Sequence, residues 1–456
     1  MAEVTALAEA RLWNHRVGAV SEQDDGSIAF EYDPAFVRSG LQISPRKLPL
    51  AAGVIYQFPE LSRIEAFAGL PGVLADALPD RFGNAVIRTY FERLGRPEAA
   101  MSPVQKLLYM GARSMGALEF HPALRDAPRG REKEALEIAE LVAQARQIVE
   151  GRADVAMPEI MRLGTSAGGA RPKAIVLWNR KKNEVRSAFA RVRKGDEHWI
   201  VKFDGVGELG APQPAPQPYN RVEYAYAQMA RLAGINMPEI EIFEERGLAH
   251  LLVRRFDRIG GERLHMHSLG GMEHVDYNQP GAYSYEQLFR LILELNLGYE
   301  ALEQAFRRAC FNIAAVNQDD HVKNISFLMD GEGRWQLAPA YDLTFARGVG
   351  FTRTHQMSLN GKRDGFTPED LIAVGRGFGI KHDGRQAIDA VAGALAQWPR
   401  IAAKAGVAKK RVDEIGKLHR GLALSGASSR PAPTPKRPPK SIPPERPSAT
   451  PSKPVK

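Results

Sequence analysis

The apolar residues change their spacing along the chain, and the change divides it. From residue 3 to about residue 58 short apolar runs alternate with turn residues: Arg11-Leu12-Trp13-Asn14, Val17-Gly18-Ala19-Val20, Ile28-Ala29-Phe30-Glu31-Tyr32. That is a small strand-rich region. Leu74, Leu78, Phe82, Val86 and Tyr90 then recur at every fourth position, which predicts helix over 73–97. Pro79-Asp80 interrupts the pattern and marks a helix start, because proline is tolerated in a first turn but not in an interior. A short helix over Pro103–Tyr109 follows, then a glycine-punctuated turn from Gly111 leading into a strand that ends at Phe120.

Between Leu124 and Lys133 the chain is polar and carries Pro128 and Gly130, a boundary signal. A helix is expected over Glu134–Glu150. After it come a glycine-rich stretch from Leu163 to Lys173 and strands over Ala174–Trp178, Ala188–Val192 and Trp199–Phe203. Four prolines between Gly205 and Tyr219 predict an exposed loop. Val222, Ala225, Tyr226, Met229, Ala230 and Ala233 give the next helix one apolar face, and Gly234 stops it. Strands over Ile240–Phe243 and His250–Phe256 complete this part. Beyond Asp257 the pattern is helical, at Tyr285–Leu297, Tyr299–Val316, Pro368–Gly377, Gly384–Trp398 and Pro399–Gly406. The exception is a hairpin, Ile325–Met329 and Trp335–Ala338, turning at Asp330-Gly331-Glu332-Gly333.

The expected class is therefore α+β and bilobal. A strand-rich N-terminal subdomain (1–125) precedes a mixed β-rich part (126–257), a helical lobe (258–424) and a tail (425–456). Composition agrees with a folded protein: 44% hydrophobic and 25% charged residues over 456 positions, more than one ordinary core. The one cysteine, Cys310, rules out a disulfide framework and fits a reducing compartment. No apolar run is long enough to span a bilayer, so a cytoplasmic address without membrane contact is the expectation. The net charge of +9 shrinks on division. The tail holds seven Lys or Arg against one Glu, +6 in all, which leaves +3 for the rest. With ten prolines and no aromatic residue it reads as a solvated extension, with acidic partners or nucleic acid as the second reading.

The candidate chemistry centres on Asn317-Gln318-Asp319-Asp320-His321-Val322-Lys323-Asn324, too polar for a core to absorb unpaired. Upstream lie the glycine-rich stretch, the strand lysine Lys202 and the helical carboxylate Glu223. Downstream, past the hairpin, lies Asp342. In that order these are the parts of phosphoryl transfer from ATP. Backbone N–H groups of the glycine-rich stretch would face phosphates, with Lys202 paired to Glu223 as the fixed cation. Asp319 would take the proton of the attacking hydroxyl, and Asn324 and Asp342 would bind Mg²⁺ through hard oxygens. Asp320 competes for the role of base but stands at the wrong distance from Asn324, and is expected in a supporting or solvent-facing place. Arg254 and Arg255 have a plainer reading as partners of nearby carboxylates such as Asp257. His265 and His267 alternate on an expected strand and could suggest a metal, but they lack a third ligand at metal spacing.

Ser166-Ala167-Gly168-Gly169-Ala170-Arg171-Pro172-Lys173, Arg255-Phe256-Asp257-Arg258, the Asn317–Asn324 segment and Pro339-Ala340-Tyr341-Asp342-Leu343 together resemble the HipA family of serine/threonine kinases. The resemblance runs from about residue 10 to 405 and includes Phe30-Glu31-Tyr32 and Leu78-Pro79-Asp80-Arg81. It implies a bilobal protein-kinase-like fold, ATP and Mg²⁺ as cofactors, a protein substrate, and a HipB-like DNA-binding antitoxin as partner. It also implies that Gly168–Lys173 form the phosphate loop and that Arg254, Arg255 and Phe256 line the adenine-side connection, with Tyr341 beside the nucleotide. His321 and Lys323 would lie near the phosphates. Ser166 would be an autophosphorylated serine whose modification ejects the loop, with Thr165 as the competing acceptor. The family precedent for the target is an aminoacyl-tRNA synthetase, with arrest of translation and growth as the consequence. Two other readings remain: a small-molecule phosphotransferase, and a non-catalytic component of an operator-bound repressor. Without a helix-turn-helix of its own, the chain would meet DNA only through a partner.

Overall fold

Among the described residues, two antiparallel five-stranded sheets carry the chain as far as Arg254. In this computed structural model residues 3–93, 101–122, 138–149, 171–188, 190–206 and 218–421 are described. The segments 165–170, 211–217 and 425–456, with the expected boundary at 124–133, lie outside them.

The first sheet has the order β4-β3-β2-β1-β5, with β1 Val4–Leu12, β2 His15–Gln23, β3 Ile28–Tyr32, β4 Ile55–Tyr56 and β5 Leu118–His121. Period-two alternation decides its inner face: Ile28, Phe30 and Tyr32 are buried while Glu31 faces out. Gly18 lets β2 approach β3, since a Cβ there would stand 2.2 Å from the Glu31 carbonyl oxygen. Helix starts where Pro79-Asp80 predicts it, as Arg81–Arg93, and again at Pro103–Met110, which Ser102 caps.

The second sheet runs β7-β6-β8-β10-β9: β6 Lys173–Asn179, β7 Glu184–Ser187, β8 Glu197–Lys202, β9 Ile240–Glu245 and β10 Leu248–Arg254. The strand expected over Ala188–Val192 forms earlier, as β7. A short turn brings Glu184 opposite Asn179 at once, and the buried Arg186 ties the following loop to Asp196 and the Arg191 carbonyl. The Tyr219–Leu232 helix packs against this sheet, and Asn220 Nδ2 donates to the carbonyls of Lys202 and Ala249 at 3.1 and 3.0 Å.

Past Asp257 the chain is less purely helical than its spacing suggests. A two-stranded ribbon, β11 Arg258–Ile259 and β12 Glu262–Arg263, leads into β13 His265–Ser268. Strand β13 pairs with the expected hairpin, β14 Ser326–Met329 and β15 Trp335–Leu337, as a third sheet. Short helices at Leu269–Glu273 and Lys409–Gly416 were not evident from spacing. The helical lobe buries Leu302, Phe306, Ala309, Ile313 and Leu288 in one core.

The N-terminal region is joined to both lobes. Met329 of the hairpin is buried in the first sheet's core, and Phe82, Ala85 and Val86 of the Arg81–Arg93 helix share a core with Ala174, Val176 and Trp199 of the second sheet. Residues 1–424 form one compact unit. No helix among the described residues is long and apolar enough to cross a membrane.

Candidate active site

Strand β8 ends at Lys202 and strand β6 begins at Lys173, and the pairing register sets these two lysines directly opposite each other. Directly opposed residues point to the same face, and both line one cavity with an empty volume of about 940 Å³. The remaining wall comes from four places. Val73, Asp76, Ala77, Met115 and Leu118 belong to the N-terminal region; Ile200, Val253 and Arg254 to the second sheet; Arg255 and Phe256 to the chain leaving it; Met266, Ser268, Lys323, Asn324, Ser326, Tyr341 and Asp342 to the part beyond Asp257.

Lys202 Nζ donates to Glu223 Oε1 at 2.5 Å and also to Asp342 Oδ1. Burial, the largest single influence, would lower the ammonium pKa, but the two carboxylates together outweigh it and raise it, so Lys202 stays charged. Burial would likewise raise the Asp342 carboxyl, yet Lys202, Lys173 and His321 hold it below the ordinary range. Asp342 sits at φ 55, a backbone region that Asp tolerates better than most residues.

The Asn317–Asn324 segment leaves its helix through Val316, at φ 57. A β-branched residue there is strained by roughly 1–2 kcal/mol. Asn317 holds the turn: its backbone N–H donates to the Asn312 carbonyl and its Nδ2 to Asn312 Oδ1, each at 2.9 Å. Farther on, Asn324 Nδ2 donates to the Asp319 carbonyl at 2.9 Å, closing the loop on itself. Asp319 keeps 42% of its side chain exposed, 3.7 Å from His321 Nε2. Burial lowers the His321 imidazole to about 4, so near neutral pH it is uncharged.

Asp320 does not face solvent. Its carboxylate accepts from Tyr285 Oη at 2.8 Å, lies 2.9 Å from His355 Nδ1 and accepts from the Gln356 backbone N–H at 2.7 Å. Burial alone would raise this carboxyl, but His355 and the hydrogen bonds hold it below its ordinary value. Asp320, Asn312 and His321 also line a smaller cavity beneath the loop with the buried Arg308. His321 is thus on that cavity, not on the larger one.

The other expected residues divide. Phe256 stacks on Tyr341 with ring centroids 5.7 Å apart, and Tyr341 Oη donates to the Lys323 carbonyl at 2.8 Å. Arg255 borders the cavity but spends its guanidinium on Asp257, at 2.9 and 2.6 Å; Arg254 meets Glu197 and Glu239. Arg171 lies over the Tyr219 ring, 4.0 Å from its centroid, and the Pro172 carbonyl accepts from the Phe203 N–H. Thr165, Ser166, Gly168, Gly169 and Ala170 fall outside the described residues.

His265 and His267 are buried with protein partners. His265 Nε2 meets the Ile43 carbonyl, and His267 bridges Ser44 Oγ and Asp76 Oδ2 at 3.0 and 2.7 Å. Ser44 is 1% exposed, so this serine–histidine–aspartate row is a strut between the N-terminal region and β13. Spacing did not single out Asp76, Tyr285, His355 or Gln356, because each reaches the site from a distant part of the chain. Asp80 had a signal, the Leu78-Pro79-Asp80-Arg81 stretch, but beyond marking a helix start it had no role in the expected chemistry.

Comparison with known proteins adds the following. The HipA-like C-terminal domain family matches residues 165–416, and the HipA N-terminal domain family matches 8–121. A putative kinase, Y4dM, of Sinorhizobium fredii is 24% identical over 390 residues, 79% of this chain and 84% of that protein. The serine/threonine-protein kinase toxin HipA of Shewanella oneidensis is 27% identical over 199 residues, 39% of this chain and 42% of that one. Among solved structures, the Shewanella oneidensis complex of HipA, HipB and operator DNA contains a chain that superposes with a TM-score of 0.62. The two are 18% identical, over 90% of this chain and 94% of that one. The fold is the same.

Proposed function

The chain belongs to the HipA family, and from that premise we propose that it is an ATP- and Mg²⁺-dependent protein serine/threonine kinase acting as the toxin of a toxin–antitoxin pair. The observation that carries this reading is the shared cavity: Lys202 clamped by Glu223 and Asp342, facing Asn324, whose amide is in turn bonded to the main chain of Asp319. The residues suit the cofactors chemically. Asn324 commits its Nδ2 to Asp319, and its amide oxygen and the Asp342 carboxylate, both on the same cavity, are hard oxygens of the kind Mg²⁺ takes.

Bound Mg-ATP would supply the phosphoryl group and a divalent charge to offset its oxygens. Lys202, charged and fixed, pairs phosphate oxygens, and Glu223 keeps it extended toward them. Asp342, paired with Lys202, would share its charge with a bound Mg²⁺. Asp319, half in solvent and oriented by Asn324, orients the substrate hydroxyl and accepts its proton. Lys173 and Lys323 add positive charge to the same cavity, and Phe256 on Tyr341 gives it a flat apolar wall.

The finer assignments belong to the same proposal. The target is a cytoplasmic protein, Ser166 is the site of autophosphorylation with Thr165 as its competitor, and a HipB-like antitoxin holds the activity down and connects the chain to DNA. Support for the partner comes from the Shewanella oneidensis protein, whose structure is a complex with HipB and operator DNA. The organisation proposed is an N-terminal subdomain (1–125), a nucleotide-binding part (126–257) and a catalytic lobe (258–424).

The test is transfer of labelled phosphate from ATP in the presence of Mg²⁺. Asp319→Ala and Asp342→Ala should each cut transfer by about a thousandfold, the order expected for losing a positioned proton acceptor or a metal ligand. Transfer by Asp319→Ala at the wild-type rate would overturn the kinase reading. Mapping the label decides between Ser166 and Thr165.

A further inference from the structure

Lys173 and Lys202 are paired across β6 and β8 and are 7% and 8% exposed. Like charges set directly opposite one another destabilise a sheet, and buried ammonium groups need counter-charges. Lys202 has Glu223 and Asp342. Lys173 meets Asp80, Nζ to Oδ2 3.6 Å, across the seam with the N-terminal domain.

Asp80 caps the Arg81–Arg93 helix: its carbonyl accepts from the Asn84 N–H at 2.8 Å and its Oδ1 from the Gly83 N–H at 2.7 Å. Capping explains one oxygen. The other, Oδ2, is buried and makes no hydrogen bond among the described residues. Serine or asparagine would cap as well without burying a charge, and an unsatisfied carboxylate oxygen is costly to bury. That oxygen is turned to Lys173.

We propose that Asp80 is a positioning residue of the nucleotide site, holding Lys173 against the cavity as Glu223 holds Lys202, so that the N-terminal domain is an integral wall of that site. Val73, Ala77 and Met115 of the same domain line the cavity beside it. The ligand, a nucleotide polyphosphate, rests on the kinase reading; the pairing of Asp80 with Lys173 does not. Lys173 gains a fixed direction, and the domain gains a part in recognising nucleotide.

The experiment is calorimetric titration of the full-length protein with a non-hydrolysable ATP analogue and Mg²⁺, on wild type, Asp80→Asn, Lys173→Gln and the double variant. Asparagine keeps the cap and removes the charge. Asp80→Asn should weaken binding by about tenfold in the wild-type background and by less than about twofold once Lys173 is glutamine, the signature of action through that lysine. Asp80→Glu should restore most of the affinity. Equal binding by Asp80→Asn and wild type, or the same loss in both backgrounds, overturns the proposal and leaves the kinase reading standing. Failure of wild type to bind the analogue overturns both. If the asparagine variant does not fold, Asp80→Ser takes its place; if neither folds, Asp80 serves the fold alone and the proposal falls.

Discussion

Asp319 keeps 42% of its side chain in solvent, while the side chain of its neighbour Asp320 is completely enclosed with His355. The two aspartates should therefore fail differently when removed. Asp319→Ala should leave the melting temperature almost unchanged, because little packing is lost. Asp320→Ala strands Tyr285, His355 and the Gln356 N–H without their acceptor, and should cost roughly 3 kcal/mol in denaturant unfolding. Glu223→Gln is an intermediate case: with Lys202 held only from the Asp342 side, the KM for ATP should rise by about tenfold with a smaller effect on folding. Sequence spacing put Asp319, not Asp320, in register with Asn324, and it is the Asp319 carbonyl that Asn324 Nδ2 meets. It left Asp320 between solvent and support, because Tyr285 and His355 stand 35 residues away on either side.

At the scale of elements, the critical contact is a seam between two short helices, Gly72–Ala75 and Leu269–Glu273. A Cβ on Gly72 would lie 2.0 Å from the Gly271 carbonyl oxygen, so nothing larger than glycine fits without separating them. Gly72→Ala should destabilise the protein by roughly 2–3 kcal/mol and, by shifting Val73, Asp76 and Ala77 away from the cavity, weaken nucleotide binding as well. Thermal melting and analogue titration on the same sample check both effects. Helices and the hairpin were largely legible in the sequence because their signals are local: the Pro79-Asp80 start, the Gly234 stop, the Asp330–Gly333 turn and apolar periods. Strand β13 is the strand that the alternation of His265 and His267 signals, but its pairing was not legible, since its partner β14 lies some sixty residues later and pairing across such a distance has no local period. Strand β7 shifted for a related reason: the turn before it, not the apolar run after it, set the register.

Across the whole molecule, burial lowers six histidines, His198, His250, His265, His274, His321 and His419, from 6.5 to about 4. They are spread over the second sheet, the seam, the Asn317–Asn324 segment and the last helices. Each stays neutral in the folded chain at pH values where the unfolded chain binds a proton. Stability from this source is full above about pH 6.5 and drains away as the pH falls toward 4. The carboxylates held low, Asp320 and Asp342 among them, extend the loss further into acid. The melting temperature at pH 5 should accordingly lie some 5–10 °C, on the order of magnitude, below that at pH 7.5. A flat profile across that window would mean these imidazoles are wet enough to titrate normally.

What the sequence determined alone was everything with a short-range cause. The α+β order, the helix starts and the hairpin follow from residue type and spacing, because caps, turns and apolar periods act within a few residues, and the same spacing puts forward Lys202, Glu223, Asp319, Asn324 and Asp342 as candidates. Only the tertiary structure decided which charges neutralise which. It set Lys173 opposite Lys202 and brought Asp80 to the first and Glu223 with Asp342 to the second. It enclosed Asp320, and it made the N-terminal region a wall of the cavity rather than an appendage. A buried charge must find its partner wherever the fold delivers one, and no rule of spacing along the chain states where that is.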